Sequence, residues 1–200
     1  MVQVPEKTLT LEAFLQLPET KPASEYIDGQ IIQKPMPQGK HSKLQGKLVT
    51  VINAVVEEPQ IALAFPELRC TYPAGSRDSV YGGRSTVPDI AVFTWSRIPV
   101  DDRGAVANVF QAAPDWTIEI FSPEQKYLKV TKNILHCLTH GTQLGWLIDP
   151  NEQMILTYAP GRQPDFFDEP TAVLPVPTFA ANLHLTVGEL FGWLKLGGDR

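Results

Sequence analysis

The chain has 200 residues, 43% of them apolar, with 22 acidic against 17 basic side chains and a net charge of −5, enough for one sizeable core and too little for two comfortable ones. The acidic balance excludes a protein that coats nucleic acid through bulk positive charge, so any phosphate contact must be local. No stretch approaches the roughly 20 apolar residues of a membrane helix or offers a signal-peptide run, and Cys70 and Cys137 form neither a disulfide framework nor a CxxC zinc pair. A cytoplasmic protein with no membrane partner is therefore expected, as a single domain over 1–200 with its core at about 20–160 and a C-terminal extension at about 170–200.

In chain order, Thr8 to Leu17 carries Leu9, Leu11, Phe14, Leu15 and Leu17 at near-helical spacing before Pro18, which predicts a short helix packing as a lid. EYIDGQIIQK, Glu25 to Lys34, sets Asp28-Gly29 between two β-prone runs and predicts a hairpin. Gly39 to Glu57 repeats Leu44, Leu48, Val51 and Val55 and predicts a helix that Pro59 stops. Phe65 to Tyr72, Pro88 to Trp95 and Trp116 to Phe121 read as strands of a central sheet, separated by loops rich in Gly, Pro, Ser and Asp. A helix over about Tyr127 to His140 ends at Gly141, and Leu144 to Asp149 with Gln153 to Tyr158 reads as a further hairpin. The proline-rich tail closes on a helix, Thr186 to Leu196, with Thr186 and Glu189 matching a capping box. The fold class that results is mixed α/β, an α+β arrangement around a mixed sheet.

Strand alternation brings the chemistry into view. In TIEIF, Trp116, Ile118 and Ile120 point to one side and Thr117, Glu119 and Phe121 to the other, so Glu119 is a carboxylate inside a core strand. Leaving such a charge without partners costs at least several kcal/mol, so it must meet a cation, bind metal or stay protonated. In VPDIAVF, Asp89 shares a face with Ala91 and Phe93 at the start of another strand. If the strands are neighbours, the carboxylates converge as a Mg²⁺ site requires. From the residues alone, a turn aspartate after Pro88 and an ion-paired Glu119 explain the same pattern equally well.

His41 continues the buried stripe of its helix at the N-terminal end, where the helix dipole favours anions; an ordinary first-turn histidine at the core edge fits as well. Glu25 reads as a third ligand or a strand-edge charge. Lys40, Lys43 and Lys47 lie beside the apolar stripe and are placed either to guide a phosphate backbone or as a solvated row. Arg77 and Arg84, in the glycine-containing loop between Tyr72 and Pro88, are placed either to reach phosphate or in a disordered stretch. His136 and His140 have the i, i+4 spacing of a zinc pair, but no Glu follows His136, and a helix C-terminus accounts for His140.

The order EYIDGQI, a helix opening with His41, VPDIAVF, TIEIFSP, a helix leading to Gly141, and GWLIDP followed by a strand ending in Tyr158 resembles the Uma-type family of restriction endonuclease-like proteins, a branch of the PD-(D/E)XK nuclease superfamily. The resemblance covers most of the chain. It implies a restriction-endonuclease-like core with flanking helices and an added C-terminal segment, Asp89 and Glu119 as ligands of Mg²⁺ or Mn²⁺, and supporting roles for Glu25 and His41. It also implies a catalytic lysine. Two residues past Glu119, the superfamily's usual place for it, stands Phe121. The position that the family uses on the following helix holds Asn133, with Lys132 beside it and Lys129 one turn earlier. Lys132 is the assigned catalytic lysine and Lys129 its support, although a helical wheel turns Lys132 mainly to solvent.

The expected activity is metal-dependent endonucleolytic hydrolysis of nucleic acid, DNA first. The alternative is a catalytically silent relative that binds nucleic acid or self-associates. The apolar C-terminal helix, with Leu190, Phe191, Trp193 and Leu194, offers a homodimer surface or a cap on the monomer core.

Overall fold

The computed structural model describes residues 9–72 and 83–197. Thr10 caps a short helix, α1 (Leu11–Leu15), by accepting from the Ala13 N–H at 3.2 Å. Phe14 stacks on Tyr26, whose hydroxyl donates to the Leu9 carbonyl at 2.7 Å, so α1 is fastened to the first strand. That strand, β1 (Ser24–Ile27), turns into β2 (Gln30–Gln33) through Asp28 at φ 51° and Gly29 at φ 79°. Two positive φ angles in a two-residue loop are the chemistry that Asp-Gly supplies, and the predicted hairpin forms.

The next helix, α2 (Gly39–Val56), buries His41, Leu44, Leu48, Ile52 and Val56. The stripe therefore runs by steps of four past Leu48 and takes Ile52 and Val56 in place of the predicted Val51 and Val55, which are only partly buried. Asn53 on this helix exchanges two hydrogen bonds with Ala64 of β3 (Ala62–Pro66), donating at 3.1 Å and accepting at 2.8 Å, which ties α2 to a sheet edge.

The segment 65–72, predicted as one strand, divides between two sheets. Pro66 ends β3, Glu67 takes a left-handed φ of 49°, and β4 (Cys70–Tyr72) begins a separate pairing. Proline has no N–H to continue a ladder, and the left-handed residue redirects the chain. A further strand, β5 (Arg84–Thr86), forms where a loop was predicted; three residues are too few to show a period. Arg84 sits in this strand and pairs with Asp28 at 3.1 Å, so it is occupied structurally, while Arg77 lies outside the described residues.

After β5 come β6 (Ile90–Thr94), β7 (Trp116–Ile120), helix α3 (Tyr127–Thr139), β8 (Leu144–Asp149), β9 (Met154–Tyr158), β10 (Asp165–Phe167) and helix α4 (Val187–Gly192). The smaller sheet has the order β2-β1-β5-β4, and the larger has β10-β9-β8-β7-β6-β3. Within the larger sheet β7 and β8 are parallel, joined by the α3 crossover, and the other neighbouring pairs are antiparallel. The result is the mixed α/β architecture expected.

Both faces of the large sheet are covered. Trp116, Ile118, Ile120, Trp146 and Ile148 pack against α2 and the C-terminal segment, while Val130 and Ile134 of α3 pack with Leu147 on the opposite face. All five residues of β7 are buried as a consequence. The α3 packing leaves no room at Gly145, where an added Cβ would lie 2.3 Å from Ile134 Cγ2. A branched side chain on a helix cannot swing away, so Gly145→Ala is expected to destabilise the fold by about 1–3 kcal/mol, read as a lowered urea midpoint with unchanged slope.

The predicted capping box is present: Glu189 N–H donates to Thr186 Oγ1 at 3.2 Å and Thr186 N–H to Glu189 Oε2 at 2.8 Å. The helix is shorter than predicted and ends at Gly192. Leu190 and Phe191 belong to the core, with Trp193 and Leu194 packed against it, so this segment caps its own chain. No helix among the described residues is long and apolar enough to cross a membrane.

His136 and His140 set their rings edge-on to Tyr72, and His140 Nδ1 lies 2.8 Å from the His136 carbonyl. Burial, with Arg84 and His140 nearby, holds His136 down to about 3. An unfolded histidine titrates near 6.5, so below that pH the unfolded chain takes a proton that the folded chain refuses. This contribution is complete above about 6.5 and is lost as pH falls toward 3. Urea unfolding at pH 7 and pH 5 is expected to show a smaller stability loss in His136→Gln than in the native protein.

Candidate active site

Asp89 stands immediately before β6, at the end of the short passage from β5 of the small sheet. The antiparallel register pairs Ile90 with Ile118. Continued by one residue it sets Asp89 opposite Glu119, so the two carboxylates share a face and an end of the sheet. Both are buried, at 1% and 4% exposure.

Asp89 is the centre of the arrangement. Its Oδ1 accepts from Lys34 Nζ at 2.6 Å, and its Oδ2 accepts from the Ile120 N–H at 2.7 Å and lies 3.0 Å from His41 Nε2. Gln45, one turn further along α2, donates to the Asp89 carbonyl at 2.8 Å. Lys34 Nζ also donates to the Val87 carbonyl at 2.7 Å and reaches Glu119 Oε2 at 3.7 Å. Glu25 closes the group: its Oε1 accepts from the Val87 N–H at 3.0 Å.

The electrostatics follow from this crowding. Burial works against ionising Asp89, but the Lys34 ammonium and the hydrogen bonds from His41 and Lys34 outweigh it and hold the carboxyl below the usual carboxylate range. Glu119 goes the other way. Burial pushes it well above that range, Lys34 offsets this only in part, and the nearby Asp89 and Glu25 add to the rise. For Lys34, burial opposes the charge, yet Asp89, Glu119 and Glu25 together keep the ammonium protonated.

A cleft of about 370 Å³ opens on Asp89, Lys34 and His41, with Ser122, Gln125 and Met36 on its walls. A neighbouring hollow of about 180 Å³ runs past Gly39, Lys40 and His41 at the start of α2 to Asn151. Lys40 bonds Asn151 at 2.9 Å beside it, whereas Lys47 lies over the Trp193 ring, 5.9 Å from its centre. The lysine row of α2 is thus divided: Lys40 stands at a groove wall, Lys43 is exposed and Lys47 makes a packing contact.

Of the residues singled out in the sequence, the structure gathers Asp89, Glu119, Glu25 and His41. It does not gather the lysines of α3. Lys132 is exposed and Lys129 half-buried, and neither makes an ion pair with Asp89 or Glu119 among the described residues. Asn133 is buried on the same helix, and the Phe121 ring packs on Tyr127 with centroids 4.0 Å apart.

The family model Uma2, described as "Putative restriction endonuclease", matches residues 11–188. The chain belongs to the Uma2 family. It is also similar to a crystal structure at 1.96 Å of a "putative nuclease belonging to DUF820" from Anabaena variabilis, with 61% identity and a TM-score of 0.87 over 93% of this chain and 99% of that one. Among curated proteins none matches.

Sequence reasoning on this Uma2 chain missed Lys34, and the signal for it was available. A two-residue loop at Asp28-Gly29 fixes the register Ile27↔Gln30 and hence Glu25↔Ile32. Side chains two apart share a face, so Lys34 lies on the face of Glu25 as soon as the hairpin is drawn. Gln45 had no comparable signal, because a glutamine beside a buried stripe is ordinary.

Proposed function

We propose that this chain is a divalent-metal-dependent nuclease that hydrolyses phosphodiester bonds, DNA first among its substrates, with Asp89 and Glu119 holding Mg²⁺ or Mn²⁺. The observation that carries the reading is the facing register of two buried carboxylates at one end of the β6–β7 pair, beside a cleft. Family membership supports it. Among the described residues no three His, Cys, Asp or Glu groups stand as a ready metal cage. The donor chemistry nevertheless fits a hard dication: Asp89 and Glu119 are oxygen donors, Glu25 adds nearby negative charge, and the one ammonium present offsets the crowding of Glu119 only in part, which leaves room for a second cation to draw it into its ionised form.

An ion bound there would lower the pKa of a coordinated water and neutralise charge on the phosphoryl oxygens. The chain's own groups do the positioning. Ile120 N–H and Gln45 fix Asp89 by side chain and carbonyl, at 2.7 and 2.8 Å. His41 orients the second Asp89 oxygen from the first turn of α2, whose unpaired amides and dipole favour an anionic backbone in the adjoining hollow.

The test is cleavage of supercoiled plasmid and of labelled single strands by the native protein with Mg²⁺ or Mn²⁺ and with a chelator. Metal-dependent cutting is expected, and nicked against linear product reads whether one copy or a pair acts. No cutting with either ion, together with no Mn²⁺ uptake in calorimetry, overturns the reading in favour of a catalytically silent module. Phe121 and Asn133, at the two usual lysine positions, are the residues that favour that second reading.

A further inference from the structure

Lys34 is tied at both ends. Its backbone N–H donates to the Ala23 carbonyl at 2.9 Å, beyond the last paired residues of the hairpin, and Pro35 stiffens the chain after it. Its ammonium is fixed by Val87 and Asp89 at 2.7 and 2.6 Å. The side chain is 12% exposed and lines the cleft with Asp89 and His41, so it faces both the carboxylates and the space that a phosphate would enter. Holding a lysine in this way against two acidic side chains, at 2.6 and 3.7 Å, is more than a β-strand end requires. Glu25 already bonds the Val87 N–H, so the strand passage is anchored without it.

The positions where a lysine is expected are otherwise spent. Phe121 packs on Tyr127, Asn133 is neutral, and Lys132 is exposed. We propose that Lys34, delivered from the end of β2, is the lysine of this site and presents its ammonium to the phosphate undergoing cleavage, in place of a lysine on β7 or α3. This rests on the nuclease reading above. The chemical requirement is a fixed cation beside the carboxylates, aimed at developing negative charge on the phosphoryl oxygens. The element that carries it is immaterial if the head group arrives at the same place.

The test compares native protein with Lys34→Gln, which removes the charge and leaves a polar amide that ends one bond short of the ammonium. Cleavage with Mg²⁺ and Mn²⁺ affinity by calorimetry are both measured. Cutting is expected to fall about 100-fold or more, while Mn²⁺ binds at least as tightly, because a competing cation has left the carboxylates. Lys132→Gln is expected to cut as the native protein does. Should Lys34→Gln not fold, Lys34→Met is measured in the same way. A folded variant that cuts within threefold of native overturns the assignment and leaves the nuclease reading intact. A variant that loses Mn²⁺ binding along with cutting also overturns it, since Lys34 would then only hold the carboxylates in place. A native protein that neither cuts nor takes up Mn²⁺ removes the nuclease reading itself.

Discussion

Glu119→Gln and Asp89→Asn are each expected to reduce metal-dependent cleavage by about a thousandfold or more. Several kcal/mol of charge stabilisation depend on the bound ion, and each 1.36 kcal/mol is a factor of ten in rate. Both substitutions preserve shape and replace a carboxyl group, able to ionise against a bound ion, with an amide that cannot. Lys132→Gln and Lys129→Gln serve as controls on α3, because neither residue pairs with the carboxylates among the described residues. Initial rates on plasmid, with circular dichroism to establish folding, read the effect.

The second large effect concerns stability and separates the same two carboxylates. Asp89 bonds Lys34 at 2.6 Å and the Ile120 N–H at 2.7 Å, with His41 at 3.0 Å. Removing its charge leaves a buried ammonium without its nearest partner, a loss of about 3–5 kcal/mol. Glu119, 3.7 Å from Lys34, can ionise and take up part of that role, so Asp89→Asn belongs at the lower end of the range. Glu119→Gln is different. Burial already favours the neutral form of Glu119, and glutamine is its neutral isostere, so a change within about 1 kcal/mol is expected. Urea denaturation in the presence of a chelator measures both. Equal losses would mean that Glu119 carries as much of the Lys34 charge as Asp89 does.

The sequence exposed this site unevenly, for physical reasons. Asp89 and Glu119 were legible because a charged residue inside an apolar alternating strand has few solutions, and the face it occupies follows from the pleat. The facing register was not legible, since no local pattern states which strands are neighbours. The α2 stripe was placed to within one residue, and the Asp28-Gly29 turn fixed its hairpin. The split of 65–72 was hidden because Pro66 and Glu67 end one strand and redirect the chain within an otherwise β-prone run. Lys34 stands far from Glu119 in sequence, and the hairpin that aligns it with Glu25 does not by itself say that it meets Asp89 and Glu119. The fold instead brings a lysine from 85 positions earlier, across the hairpin.

The most direct test of the metal centre is an anomalous scattering map from crystals of the native protein grown with Mn²⁺. The expected result is a peak between the Asp89 and Glu119 carboxylates, absent from Glu119→Gln crystals under the same conditions. Protein that cuts DNA with Mn²⁺ yet shows no peak there, or binds the ion elsewhere, would contradict the assignment of these two residues.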